Sequence, residues 1–247
     1  MLPVLREAWK RMGSRVILCW LVLAGAGSAQ VDEPRYVAPG QGSEPPSDAV
    51  VLFGGKDLTG WTARDGGPAG CAAVQGEMVC KTGAGNIFSK EKFTDAQIHL
   101  EFLTPNMPEH KGQLKGNSGV YLQGRYEVQI LDSYQNPTYA MGVVGAIYGT
   151  SPPLVNASRP PEQWQSYDII FRGPRCDQDQ VVHPGTVTVL LNGVLVQDHV
   201  SLAHRPRDCA ERRIGEPGPL MLQDHSGFPN APHTVMKFRN IWLRHLQ

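Results

Sequence analysis

Asn117-Ser-Gly-Val-Tyr-Leu-Gln-Gly-Arg-Tyr-Glu-Val-Gln-Ile-Leu-Asp132 reads as two short strands joined around a glycine. From Tyr126 to Leu131 the side chains alternate. Tyr126, Val128 and Ile130 lie on one side, Glu127 and Gln129 on the other, the period of two that a pleated strand imposes. Val120 and Leu122 alternate against Gly119 and Tyr121 in the same way. The loop length follows from the pattern. A turn made of Gly124-Arg125 alone would set Glu127 against Leu122 and Gln129 against Val120. A loop of Gln123-Gly124-Arg125 sets Glu127 beside Tyr121 and Gln129 beside Gly119, and gathers the apolar set on the other face. The three-residue loop is expected. One face then carries a carboxylate, an amide and a phenol, with Gly119 leaving room for a ligand. A solvated strand face is the plainer reading of the same pattern.

Further strands follow outward from this hairpin. Val50-Val51-Leu52-Phe53 is one, and Gln97 to Leu103 alternates again. Tyr167 to Phe171 is a short β-rich run, and Thr186 to Val200 is a hairpin turning on Asn192-Gly193. His233 to Leu246 supplies a last alternating strand. No stretch holds a helical period. With 27 Gly and 20 Pro punctuating many short strands, an all-β sandwich or jelly roll of two sheets is the expected architecture.

The chain opens on an export signal, residues 1–29: Arg6, Lys10, Arg11 and Arg15, then the apolar run Val16 to Ala26, then Gly27-Ser28-Ala29. The run falls short of the roughly 20 residues of a stable membrane span. Residues 30–47, rich in Pro, Gly, Ser and acidic groups, read as a flexible linker, and residues 48–247 as one domain. Beyond Cys19, four cysteines remain, an even number that suits two disulfides in a secreted or periplasmic protein. Cys71 and Cys80 are spaced to bridge a small hairpin, and Cys176 and Cys209 flank the Asn192-Gly193 hairpin. A zinc site is the alternative, although no CxxC or HxxxH spacing is present. The 23 basic and 23 acidic residues cancel, and no basic stripe exists, which argues against nucleic acid as a partner.

Two polar clusters stand apart. Gly145 to Trp164 is a long Pro-rich loop, the kind that tends to carry function. Leu220-Met-Leu-Gln-Asp-His-Ser-Gly227 is an apolar strand ending in Gln223, Asp224 and His225, where the Asp could orient or charge the His. A strand end satisfying its own turn is the competing reading.

Leu52-Phe53-Gly54-Gly55-Lys56-Asp57-Leu58-Thr59-Gly60-Trp61, the two halves of the opening hairpin, Gly145-Ala-Ile-Tyr148, Trp164 to Arg172, Leu191-Asn-Gly193, Gly218-Pro-Leu220 and Phe238-Arg-Asn-Ile-Trp242 occur in one order. That series resembles the 3-keto-disaccharide hydrolase domain family. The resemblance implies a Concanavalin A-like jelly roll of two antiparallel sheets, and an exported enzyme acting on 3-keto-disaccharides or glucosides. Laminarinases and lichenases of that fold place carboxylates as Glu-x-Asp-x-x-Glu on one bulged strand. Glu127-x-Gln129-x-x-Asp132 has the same spacing, and a bulge would be needed to return Asp132 to the Glu127 face. Gln129 in place of the helper carboxylate argues against ordinary retaining chemistry.

The chemistry implied instead is elimination beside a C3 ketone followed by hydration. Glu127 is expected as base, with Asp132 or His225 as acid or water-activator. Asn117, Tyr121, Gln129, Tyr148, Gln223, Asp224 and Arg239 are expected to hold the sugar. No cofactor is required, and a divalent metal held by acidic groups and His225 is an option. A non-catalytic carbohydrate-binding module is the alternative from another functional class, and an inverting glycanase a third.

Overall fold

The computed structural model describes residues 33–204 and 207–247; the expected export signal lies outside them. In chain order the strands are β1 (Val50–Phe53), β2 (Trp61–Ala63), β3 (Ala72–Val74), β4 (Glu77–Lys81), β5 (Ile87–Phe93) and β6 (Asp95–Leu103). Next come β7 (Asn117–Leu122), β8 (Tyr126–Leu131), β9 (Gln165–Arg172), β10 (Arg175–Asp177) and β11 (Gln180–His183). Then follow β12 (Thr186–Leu191), β13 (Val194–Ser201), β14 (Gly218–Leu222) and β15 (Val235–His245). A short helix α1 (Asp208–Arg212) precedes β14.

Two antiparallel sheets carry the fold, a jelly-roll sandwich. The larger runs β13-β12-β9-β6-β15-β4-β3, with β1 also paired to β15, and the smaller runs β2-β5-β14-β7-β8. Strict alternation makes the two sheets face each other. Val120, Leu122, Val128 and Ile130 of the smaller sheet are fully buried, as are Ile98, Leu100, Phe102, Ile169, Phe171 and Phe238 of the larger. Phe93 meets Phe171 edge-on across the gap, ring centres 5.9 Å apart. Each such side chain contributes roughly 1.5–3 kcal/mol on burial, so one-residue slips of register are excluded.

The β7–β8 ladder pairs Tyr121 with Glu127 and Gly119 with Gln129, without a bulge. The loop between them is Gln123-Gly124-Arg125, with Gln123 and Gly124 at positive φ. The expected register is the observed one. Asn192 and Gly193, both at positive φ, close the β12–β13 hairpin with Leu191 opposite Val194. Disulfides Cys71–Cys80 and Cys176–Cys209 both form. The second ties β10 to α1, an element too short to leave a helical period in the sequence. Between Val37 and Ser47 no strand forms; the Ser43 carbonyl accepts from Asn240 Nδ2 at 2.6 Å. No helix among the described residues is long and apolar enough to cross a membrane.

Candidate active site

The outward face of the β7–β8 hairpin holds the chemistry, because the same alternation that buries Val120 and Val128 turns Tyr121, Glu127 and Gln129 away from the core. The Tyr121 hydroxyl donates to Glu127 Oε2 at 2.8 Å and accepts from Gln223 Nε2 at 3.0 Å. Gln223 is fixed at the end of β14: its N–H donates to the Gly119 carbonyl at 3.0 Å, and its carbonyl accepts from Ser118 Oγ at 2.8 Å. The space above Gly119 is not left for a ligand. A Cβ there would fall 2.4 Å from Glu127 Oε1, so the missing side chain makes room for the Glu127 carboxylate itself.

Beneath lies an amide cluster. Asn117 Nδ2 donates to Gln113 Oε1 at 3.2 Å, and Gln113 Nε2 to Thr138 Oγ1 and the Gly142 carbonyl, each at 3.0 Å. Gln129 Nε2 faces Gln113 Oε1 at 3.2 Å in one amide orientation. Reversed, it donates to Glu127 Oε1 at 3.1 Å and to the Ser118 carbonyl at 3.2 Å, which relieves an oxygen that otherwise faces only acceptors. The reversed orientation gives Glu127 a second neutral donor.

Tyr148 reaches the site because residues 145–148 lie along the free edge of β8. Gly145 N–H donates to the Gln129 carbonyl at 3.0 Å, and Tyr148 N–H to the Glu127 carbonyl at 3.0 Å. The Tyr148 and Tyr139 hydroxyls are 2.8 Å apart, and both rings are about half exposed. Two lobes meet at this point. One, of about 400 Å³, lies toward His225, Phe228 and the amide cluster; the other, of about 390 Å³, lies toward Arg125, Tyr126 and Arg212. Tyr121, Glu127 and Tyr148 line both.

Electrostatically Glu127 is isolated. No cation pairs with it among the described residues, and burial pushes its pKa up to about 7 against the opposing pull of the Tyr121 hydroxyl. Burial and the neighbouring Glu127 raise the Tyr121 pKa, so that phenol stays a donor. Tyr139 is pushed up to about 12 by burial and by its bond to Tyr148. Burial lowers the His225 pKa although Asp224 opposes it, which leaves a neutral imidazole stacked on Phe228 at 4.1 Å.

Of the residues expected from sequence, Asn117, Tyr121, Glu127, Gln129, Tyr148, Gln223 and His225 come together here. Three do not. Without a bulge, Asp132 turns away from Glu127; it is fully buried and takes Lys115 Nζ at 2.9 Å. Asp224 ties down a loop, accepting from the Gly83 and Gly85 N–H groups at 3.0 and 2.8 Å and from Ser226. Arg239 stands on β15, in the other sheet, bonded to Glu101. Sequence reasoning missed Gln113, Tyr139 and Phe228, all in loops without period. Besides Glu127, the one carboxylate lining either lobe among the described residues is Asp208, buried against Arg212 at 3.5 Å. No group of three His, Cys, Asp or Glu side chains among the described residues converges to hold a metal ion, and the Asp224 carboxylate is spent on its turn. The donor set does not fit a metal beside His225.

The profile of a family described as a 3-keto-alpha-glucoside-1,2-lyase-like domain matches residues 48–244. A solved candidate glycosyl hydrolase from Parabacteroides distasonis is 39% identical, over 87% of this chain and 93% of that one, with a TM-score of 0.78. A second from the same organism is 20% identical over 81% of this chain and 94% of its own, TM-score 0.59, and shares the fold. A third, 21% identical over 80% and 99%, TM-score 0.55, shares it as well. No curated protein matches the chain.

Proposed function

Because the chain belongs to the 3-keto-alpha-glucoside-1,2-lyase-like family, we propose that it cleaves 3-keto-glucosides or 3-keto-disaccharides by elimination and hydration. The observation that carries this reading is Glu127: a carboxylate with no cation partner, raised to about 7, at the junction of two lobes. A base with a pKa near the working pH is what proton abstraction beside a ketone needs. Two lobes around one carboxylate suit a disaccharide with its glycosidic oxygen over Glu127.

Glu127 takes the proton from C2, and the C2–H electrons form an enolate on the C3 oxygen. The enolate collapses, C1=C2 forms, and the C1–O bond breaks. The departing oxygen takes a proton from the Tyr148 hydroxyl, which the Tyr139 hydroxyl holds in place. Water then adds across C1=C2: the Tyr148 phenolate takes one of its protons as its hydroxyl joins C1, Glu127 gives its proton to C2, and the 3-keto sugar is released with both residues restored. Neutral His225 offers an N–H to the C3 oxygen without competing as an acid. Gln223 Oε1, buried without a partner among the described residues, is an acceptor for a sugar hydroxyl. This route needs one carboxylate. Double displacement needs two about 5–5.5 Å apart, and Asp132 is bonded to Lys115 instead.

The test is product analysis in deuterium oxide with paired 3-keto and unmodified glucosides. Turnover of the keto substrate alone, with deuterium at C2, is expected. Cleavage of the unmodified glucoside would return the site to conventional glycosidase chemistry. Saturable binding without turnover of either would make the chain a binding module.

A further inference from the structure

The two lobes that meet at Glu127 differ in charge. The one toward His225 is lined by no lysine or arginine among the described residues, whereas the other, of about 390 Å³, holds Arg125 and Arg212. We propose that this second lobe receives the leaving group and selects one that carries a carboxylate, so that the substrates are 3-keto-glucosides of acidic aglycones. Giving the leaving group to this lobe rests on the elimination proposed above, which sets the keto ring against Gln223 and His225 in the first.

Arg125 is the last residue of the loop before β8, and all its bonds to described residues go to uncharged oxygens. Nη1 donates to Gln123 Oε1 and to the Glu216 carbonyl, each at 3.3 Å, and Nη2 to the Arg213 carbonyl at 3.0 Å. A guanidinium has five N–H donors, and none of these bonds uses Nε. The Glu216 carboxylate is taken by Arg213 Nε at 2.6 Å. Burial, with Arg212 and Arg213 nearby, lowers the Arg125 pKa, the direction expected of a cation short of counter-charge.

Arg212 faces it from α1, which the Cys176–Cys209 disulfide ties to β10. Its half-exposed guanidinium lies 3.5 Å from the buried carboxylate of Asp208, one turn earlier. Both guanidiniums influence the Tyr126 hydroxyl, which places them around one point. His204 completes the wall, with a ring nitrogen on the Pro184 carbonyl. Apart from Glu127 at the junction, two guanidiniums thus line the lobe against one carboxylate among the described residues. Glu127 answers to burial and Tyr121 and to neither cation, so the positive charge stands clear of the base. A neutral sugar would leave that charge unmatched. A carboxylate meets it through the planar donors that a guanidinium presents.

The probes are 4-carboxyphenyl and 4-carbamoylphenyl glucosides, in both anomeric series and with the C3 hydroxyl intact, titrated calorimetrically into the full chain at low salt. In at least one series the carboxylate is expected to bind about tenfold more tightly than the amide of the same shape, and added salt should shrink the difference. Arg125→Gln should bring the ratio close to one, and Arg125→Lys, which keeps the charge without the fork, should restore part of it. Arg212→Gln releases no backbone carbonyl, so it serves where Arg125→Gln disturbs the fold; it should cut the ratio about threefold. Equal binding of the two probes, no saturable binding of the carboxylate, or a preference that survives both Gln variants would overturn the assignment. The 3-keto forms of the same pair keep the two readings apart. Turnover of both with equal kcat/KM overturns the acid preference alone, whereas turnover of neither overturns the elimination whatever the binding shows.

Discussion

Glu127 and Glu101 stand on opposite outward faces of one sandwich, and their partners drive them to opposite sides of the ordinary glutamate value. Both carboxylates are desolvated, and burial alone would raise the pKa of each. Bonds from Arg239 and Asn240 outweigh that burial at Glu101 and hold it below its ordinary value. Glu127 has no cation beside it among the described residues, and the pull of the uncharged Tyr121 hydroxyl does not offset its burial, which leaves it near 7. Given burial in both, a cation partner decides which carboxylate keeps a usable proton. One carboxylate is thus left able to take a proton, and the other is matched by a guanidinium.

The largest blow to this contrast comes from Glu127→Gln. Activity on a 3-keto-glucoside should fall roughly 10²–10⁴-fold, read by product formation, while the fold is retained. The pH dependence has a fixed sign. Activity should climb as pH rises through about 7, where Glu127 loses its proton. Stability runs the other way. Native Glu127 holds its proton longer than the unfolded chain does, so stability falls as pH rises from about 4.5 to about 7. Glu127→Gln should therefore melt higher than the parent at pH 8, with the difference shrinking at pH 5.

Next comes Gly119→Ala. Its methyl would press on Glu127 Oε1, the free end of a flexible side chain, so the fold should tolerate it while the carboxylate shifts. A loss on the order of 10²-fold in kcat with a near-native melt is expected. Tyr121→Phe is smaller. Without the phenol that lowers it, the Glu127 pKa rises, and the acid limb of the pH–rate profile should move up by about one unit. Smallest is Glu101→Gln on the other face, which weakens the Arg239 pair. The melt should drop by about 2–4 °C with kcat unchanged.

How far these faces could be read from sequence depended on whether a period spoke for them. Alternation alone fixed the β7–β8 register, because a slip of one would have buried Glu127 and Gln129 in place of Val128 and Ile130. Asn192-Gly193 announced its turn through two positive φ angles. Alternation also turned Arg239 outward, but it cannot say which sheet a strand joins, and β15 lies in the sheet opposite Glu127. Asp132 depended on a bulge that the strand does not contain. Asp224 was legible as chemistry or as a turn, and the Gly83 and Gly85 N–H groups make it a turn. The two ends of the Pro-rich loop reach different faces: Tyr148 lines the Glu127 cleft, whereas Arg159 and Trp164 line a separate hollow on the larger sheet. Gln113, Tyr139 and Phe228 come from loops whose shape only tertiary contacts decide.

The contrast between the two glutamates is tested most directly by following their side-chain carboxyl carbons by NMR across the pH range, with Glu127→Gln and Glu101→Gln for assignment. The Glu127 signal is expected to titrate at about 7 and the Glu101 signal below the ordinary glutamate value. A Glu127 that titrates with the exposed glutamates would contradict it, and would remove the base on which the proposed elimination depends.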